Sequence, residues 1–171
     1  MSIDETAGDF AIPLDVYPHL REDQTLDEAI GVIRSYTCED QLQFSELLIV
    51  NDQEQVIGRV TVREMLQGLE PRLLKQKKES EFEGLEADYP NLAILWEESF
   101  FKQCRKRGGR PIKEFMSPIK TTVKATDPLL KVLYIMIHKN ESNLPVLEKK
   151  KIVGVVRSKE VFAAVCLRCQ L

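Results

Sequence analysis

Two tetrads in this 171-residue chain have the residue types and spacing to hold an anion: Thr61-Val62-Arg63-Glu64 and Arg157-Ser158-Lys159-Glu160. Each follows an apolar run that reads as a strand and opens a stretch that reads as a helix. A helix start offers unpaired backbone N–H groups and the positive end of the helix dipole, so an anionic group is stabilised there. The first tetrad also fits a capping box, in which Thr61 and Glu64 satisfy each other's backbone donors without any ligand. In the second, Arg157 places a positive charge where the dipole opposes it. A bound anion would offset that repulsion, and so would an ion pair with Glu160 on the same turn.

Other reactive side chains point elsewhere. Cys166-x-x-Cys169 puts two thiols on neighbouring helical positions, a spacing that can bind metal or form a redox pair. No second CxxC and no clustered histidine completes a four-ligand zinc site. With Cys38 and Cys104 they read as free intracellular thiols. His19 and His138 are far apart and not spaced with a cysteine. The sequence has no GxSxG elbow, HExxH helix, GxxxxGK[ST] loop or Gly-x-Gly-x-x-Gly turn, so an enzyme is not expected. Arg105, Lys106, Arg107 and Arg110 read as the basic last turn of a helix, since no aromatic residues interleave with them as a single-strand binder requires. A net charge of −3 argues against a general nucleic-acid binder. No apolar run reaches about eighteen residues and no basic-then-apolar leader opens the chain, which points to neither a membrane span nor a secretory signal. The expected location is cytoplasmic.

The elements that must position the tetrads are written twice. A short apolar run (Leu47-Leu48-Ile49-Val50; Leu144-Pro145-Val146-Leu147) leads into a polar turn, which at Lys149-Lys150-Lys151 reads as a soluble hairpin tip. A second run follows with glycine third (Val56-Ile57-Gly58; Ile152-Val153-Gly154), and the helix carrying Glu64 or Glu160 comes next. Both glycines read as structural, allowing close backbone approach. Upstream of each hairpin, apolar residues fall at helical spacing: Leu26, Ala29, Ile30 and Ile33, then Leu129, Val132, Leu133 and Met136. Asp23-Gln24-Thr25 and Thr126-Asp127-Pro128 are the corresponding start signals. The unit is helix, strand, strand, helix, repeated with a period of roughly a hundred residues, so each copy should be a small α/β subdomain packed on the other.

These residues resemble the cystathionine-β-synthase (CBS) domains, which occur as tandem pairs. Phe115-Met116-Ser117-Pro118 resembles the Met-Ser/Thr-x-Pro lead-in of such a domain, and Thr126-Asp127-Pro128-Leu129 its first helix start. Leu144-Pro145-Val146 and Ile152-Val153-Gly154-Val155-Val156 resemble its hairpin. Arg157-Ser158-Lys159-Glu160-Val161 stands where the family has Thr/Ser-x-x-Asp-apolar. The first copy matches through Gln24-Thr25-Leu26-Asp27-Glu28-Ala29 and through Val56-Ile57-Gly58-Arg59-Val60-Thr61-Val62-Arg63-Glu64-Met65. The resemblance implies an α/β (α+β) fold: two repeats as a pseudo-twofold pair, repeat 1 over 12–70 and repeat 2 over 111–168, separated by a helical insertion over 71–110 and preceded by a loosely docked acidic tail over 1–11.

Residues 37–44, between the first helix and its hairpin, read as a surface loop beside one cleft. Within the insertion, residues 72–81 read as a solvated linker. Leu92, Ile94, Leu95, Trp96, Phe100, Phe101 and Cys104 mark an amphipathic helix over 92–104, opened by Asp88, Pro90 and Asn91 and stopped by a left-handed Gly108-Gly109. Its apolar face should cover the repeats or meet a second subunit.

The resemblance implies a binding function. Paired CBS domains hold an adenine nucleotide between their repeats and regulate other proteins, with the acidic position gripping ribose and the hydroxyl or basic residues before it meeting phosphate. Carried onto this chain, the site residues are Thr61, Arg63, Glu64, Thr121, Thr122, Leu144, Pro145, Arg157, Ser158, Lys159 and Glu160, with Glu where Asp is usual and Leu48 where the second copy has Pro145. The expected ligand is AMP, ATP or a related adenosine compound, with no resident metal. The expected partners are a second copy in a homodimer and a protein regulated in trans. The alternative is a ligand-free dimerisation or docking module with degenerate nucleotide sites.

Overall fold

Helical apolar stripes and Val/Ile/Leu runs fix most of the elements. A computed structural model describes residues 5–39, 44–71 and 97–169. The first half runs α1 (Ala7–Phe10), β1 (Ile12–Pro13), β2 (His19–Arg21), α2 (Leu26–Glu39), β3 (Glu46–Val50), β4 (Val56–Thr61) and α3 (Val62–Leu69). After α4 (Glu97–Gly108) and a 3-10 turn at Ile112–Glu114 come β5 (Val123–Lys124), α5 (Leu129–Lys139), β6 (Asn143–Glu148), β7 (Lys151–Arg157) and α6 (Ser158–Cys169). Each repeat thus adds one short strand, β2 or β5, before its first helix. It pairs in parallel with the hairpin's first strand, and the hairpin itself is antiparallel.

Both predicted stripes form cores. Leu26, Ala29 and Ile33 of α2 pack with Leu47, Leu48, Ile49 and Val60, and Leu129, Val132 and Met136 of α5 pack with Leu144, Val146, Val156 and Val161. Thr25 and Glu28 cap α2 reciprocally, the Thr25 N–H donating to Glu28 Oε2 at 2.6 Å and the Glu28 N–H to Thr25 Oγ1 at 3.3 Å. The Lys149-Lys150 tip has both residues left-handed, φ 47° and 67°, as a tight hairpin turn with matching twist requires.

The two sheets exchange their lead-in segments. β1, in the opening segment of repeat 1, pairs with β7 of repeat 2 (Ile12 with Val155, Pro13 with Gly154), giving the sheet order β1-β7-β6-β5. Ser117, in the opening segment of repeat 2, bridges Arg59 in β4 of repeat 1 with both backbone hydrogen bonds, 2.8 and 3.0 Å. Sequence periodicity carries no information about such an exchange, because each segment is too short to show a pattern.

Three expectations are corrected. Residues 1–11 are not a loosely docked tail where they are described. Ala7 is fully buried in the second core, its N–H bonds the Asp127 carbonyl at 2.8 Å, and Glu5 pairs with Arg168 at 2.7 Å. Residues 37–44 are not all surface loop: α2 continues to Glu39, and Phe44 is buried between Tyr17 and Tyr36, edge to face with each at 5.0 Å. The insertion helix continues through Gly108, and neither Gly108 nor Gly109 is left-handed. A Cβ at Gly108 would lie 2.1 Å from the Asp27 carboxylate at the start of α2, so that exposed side chain would have to turn aside. α4 packs on α2 and α3, and Arg107 donates to the Leu69 carbonyl at 3.1 Å. The predicted start of that helix, 92–96, and the linker over 72–81 lie outside the described residues.

Candidate functional site: the clefts between the repeats

The strand exchange brings the two tetrads to the seam between the repeats. Thr61 caps α3 as a capping box: Glu64 Oε2 accepts the Thr61 N–H at 2.8 Å and its hydroxyl at 3.0 Å, and the Glu64 N–H returns to Thr61 Oγ1 at 3.2 Å. The other Glu64 oxygen accepts the hydroxyl of Ser117, from repeat 2. Both oxygens are therefore engaged within the chain. Arg63 is exposed.

At the start of α6, Arg157 is buried, its side chain only 8% exposed. Its Nε donates to Glu160 Oε2 at 2.9 Å, Nη2 reaches Oε1, and its guanidinium lies 5.2 Å from the centre of the Phe44 ring in repeat 1. The ion pair read as one option from the sequence is formed. Ser158 and Lys159 are exposed on the same turn.

Thr121 and Thr122 are half-buried just before β5, whose first residue pairs with Val146, so they stand beside the Pro145 end of β6. Leu144 is fully buried in the core of repeat 2, between β6 and the helices packed on it. Pro145 is buried in β6.

Several residues at the seam escaped the sequence reading. The Tyr17 hydroxyl donates to Glu46 Oε1 at 3.0 Å, and Arg59 faces Glu46 at 3.8 Å, Glu141 at 2.5 Å and the Asn143 carbonyl at 3.3 Å. Burial pushes the Glu46 carboxyl above the usual range, with Arg59 and the Tyr17 hydroxyl acting the other way. Burial, reinforced by Glu46, pushes the Tyr17 phenol well up. Nothing in the spacing of Tyr17, Phe44, Arg59 or Glu141 marked them, since they meet only across the seam. Ser117 was visible as part of a motif, though not as the partner of Glu64.

Hollows open on the surface among the described residues. One of about 570 Å³ lies beside β2, lined by Leu14, His19, Arg21, Gln24 and Asn51 among others. Another, about 290 Å³, lies between α5 and α6 and is lined by Leu133, Met136, Ile137, Phe162 and Val165 with Ser158 at its rim. Among the described residues no cluster of three or more His, Cys, Asp or Glu could hold a metal ion, and no helix is long and apolar enough to cross a membrane. Cys104 and Cys166 are half-buried free thiols, and Cys169 is an exposed one.

The family model described as CBS domain matches residues 8–70 and 112–166. No curated protein matches the chain. Among solved structures, the chain is similar to CBSX2 in complex with AMP, at 17% identity and TM-score 0.64 over 97% of this chain and 98% of that one; CBSX2 is a CBS-pair protein from Arabidopsis thaliana. It is similar to a CBS domain-containing protein of unknown function from Kribbella flavida, at 18% identity and TM-score 0.69 over 94% of this chain and 97% of that one. It is also similar to the cytosolic domain of the Mg2+ channel MgtE in complex with ATP, at 17% identity and TM-score 0.61, over 94% of this chain and 49% of that one. At these identities the likeness is one of fold.

Proposed function

Because the chain belongs to the CBS domain family and carries that domain twice, we propose that it is a regulatory module that holds an adenine nucleotide, AMP- or ATP-like, in the cleft between its repeats and acts in trans on a partner protein. The observation that carries this reading is Arg157. A buried guanidinium at the N-terminus of a twelve-residue helix opposes the helix dipole, and its partner Glu160 sits at the position the family uses for ribose. A phosphate is a stronger and better-shaped bidentate partner for a guanidinium than a half-exposed carboxylate. Similar folds have been solved with AMP and with ATP, which agrees with this choice of ligand. The role is regulatory rather than catalytic.

A second reading, a ligand-free dimerisation or docking module, is favoured by the complete engagement of the Glu64 and Glu160 carboxylates inside the chain. Calorimetric titration of the wild type and of Arg157→Ala with adenosine, AMP and ATP separates the two. The nucleotide reading expects affinity to rise with phosphate number, to fall with salt, and to drop by about 1.5 to 3 kcal/mol in Arg157→Ala. Equal affinity for the three ligands would place the phosphates elsewhere, and no binding by the wild type would leave the docking module.

Either reading includes self-association. α4 covers much of the helical face of repeat 1, whereas Leu130, Tyr134 and Ile137 of α5 and Phe162 and Leu167 of α6 are exposed together on repeat 2. An apolar face of this kind is the surface through which a homodimer would form.

A further inference from the structure

The seam buries more negative charge than it pairs. Glu46, the first residue of β3 and the ladder partner of Thr61, is 3% exposed, and its two carboxylate oxygens are unequally served. Oε1 accepts the Tyr17 hydroxyl at 3.0 Å. Oε2 faces Arg59 Nη1 at 3.8 Å, beyond hydrogen-bond length. The same guanidinium is committed to repeat 2, Nη2 donating to Glu141 Oε2 at 2.5 Å and Nη1 to the Asn143 carbonyl at 3.3 Å. Two carboxylates, one from each repeat, thus share one guanidinium, and the nearer is the one across the seam.

The other groups that act on this cluster, among the described residues, do not make up the deficit. Tyr17 is a neutral donor, its phenol pushed well up by burial and by Glu46 itself, and Asn143 adds a neutral side-chain hydrogen bond to Glu46. Glu141 raises the Glu46 pKa, and Glu64, from α3, draws on Arg59 as well. Arg157 acts on Tyr17 but is itself paired with Glu160. A carboxylate this deep is costly as an anion without a cation at short range. As an acid it still accepts the Tyr17 hydroxyl and no longer draws on Arg59. Burial is the largest influence and lifts the Glu46 pKa above its ordinary 4.5, against Arg59, Tyr17 and Asn143. Arg59 and Glu141 are 18% and 16% exposed, so the cluster lies within reach of solvent protons.

We propose that Glu46 is a proton-binding site at the seam, and that taking up one proton there leaves Arg59 wholly to Glu141 and tightens the hold of repeat 1 on repeat 2. Arg59 is also the residue whose backbone meets Ser117 with two hydrogen bonds, so a change in its partners is felt where the opening segment of repeat 2 crosses β4. The device needs no other ligand and stands apart from the nucleotide reading. Its sign follows from linkage. A carboxyl with a raised folded pKa lends stability that is complete below its unfolded pKa and is lost as pH rises through the folded value.

Urea unfolding of the full chain at a series of pH values from about 5 to about 8 tests this. The wild-type midpoint should fall as pH rises, and Glu46→Gln, which keeps the shape and removes the charge, should show no such fall. The two proteins should coincide at the acid end, with the variant the more stable at the alkaline end. Loss of a structural ion pair would give the reverse. A flat wild-type profile, or a variant less stable throughout, would overturn the proposal. If Glu46→Gln does not fold, Tyr17→Phe takes its place: it removes a donor to the anion and should move the fall to higher pH, and an unmoved fall would overturn the assignment to Glu46. Amide exchange then locates the effect. Protection of the Arg59 and Ser117 N–H groups, relative to amides within the repeat 2 hairpin, should drop with rising pH in the wild type and not in Glu46→Gln. Unchanged protection at those two amides would overturn the tie to the seam.

Discussion

The Cβ that Gly154 lacks would lie 2.4 Å from the carbonyl oxygen of Ile12. Its counterpart Gly58 stands in the same relation to the other exchanged segment, with a Cβ position 3.0 Å from the Ser117 carbonyl and 2.8 Å from Met116 Sδ. Neither glycine is there for a left-handed backbone. Each marks the point where the lead-in segment of the opposite repeat crosses its hairpin. A side chain at Gly154 meets backbone on an element held by β-pairing, whereas at Gly58 part of the obstruction is the end of a flexible methionine. Gly154→Ala should therefore destabilise by about 1 to 3 kcal/mol and Gly58→Ala by less, as read from urea unfolding midpoints. Equal, small effects would mean that the exchanged strands yield easily.

The buried stripes support a sharper test. Val132→Asp puts a carboxylate at a fully buried position of α5 and should abolish cooperative unfolding, at a cost of several kcal/mol. Ile30→Asp acts at the half-buried rim of α2 and should cost less. Thermal melts of both, compared with wild type, give the ordering.

Helix capping can be separated from ligand binding at the first tetrad. Thr61→Ala removes an acceptor for the Glu64 N–H and should lower stability by roughly 1 kcal/mol. The change is read from the unfolding midpoint without ligand.

Asp127 gives a pH signature. Burial alone would raise its pKa, but the Lys131 ammonium at 2.7 Å and the Lys124 N–H at 2.9 Å outweigh that and hold it below its ordinary value of 3.8. A depressed carboxyl stabilises the fold above its unfolded pKa, and that contribution is lost as pH falls through the folded value. Asp127→Asn should therefore cost about 1 kcal/mol at neutral pH. The gap to wild type should close as pH falls below that ordinary value, measured by denaturant titration at several pH values.

Self-association through repeat 2 is checked by sedimentation. Ile137, 73% exposed on α5, tolerates a charge in the monomer, so Ile137→Glu should yield a folded monomer at concentrations where the wild type is dimeric. A monomeric wild type would remove the dimer from the proposal.

Local chemistry was legible in the sequence because it depends on neighbours a few residues apart. The stripes of α2 and α5, the hairpins with glycine third, the Thr61–Glu64 box and the Arg157–Glu160 pair all follow from helical and strand spacing. The paired repeat was legible too, since the same ordered set occurs twice. What joins the repeats was not. Ser117 meets Glu64 and Arg59 meets Glu141 across 53 and 82 residues, and Phe44 meets Arg157 from the other repeat, separations that no helical or strand period relates. Tyr17 stands in a short segment between Pro13 and Pro18, where no periodicity marks a buried ring. Whether a cleft is open or filled depends on which side chains the exchanged strands bring together, and that is decided only when both cores have closed around the seam.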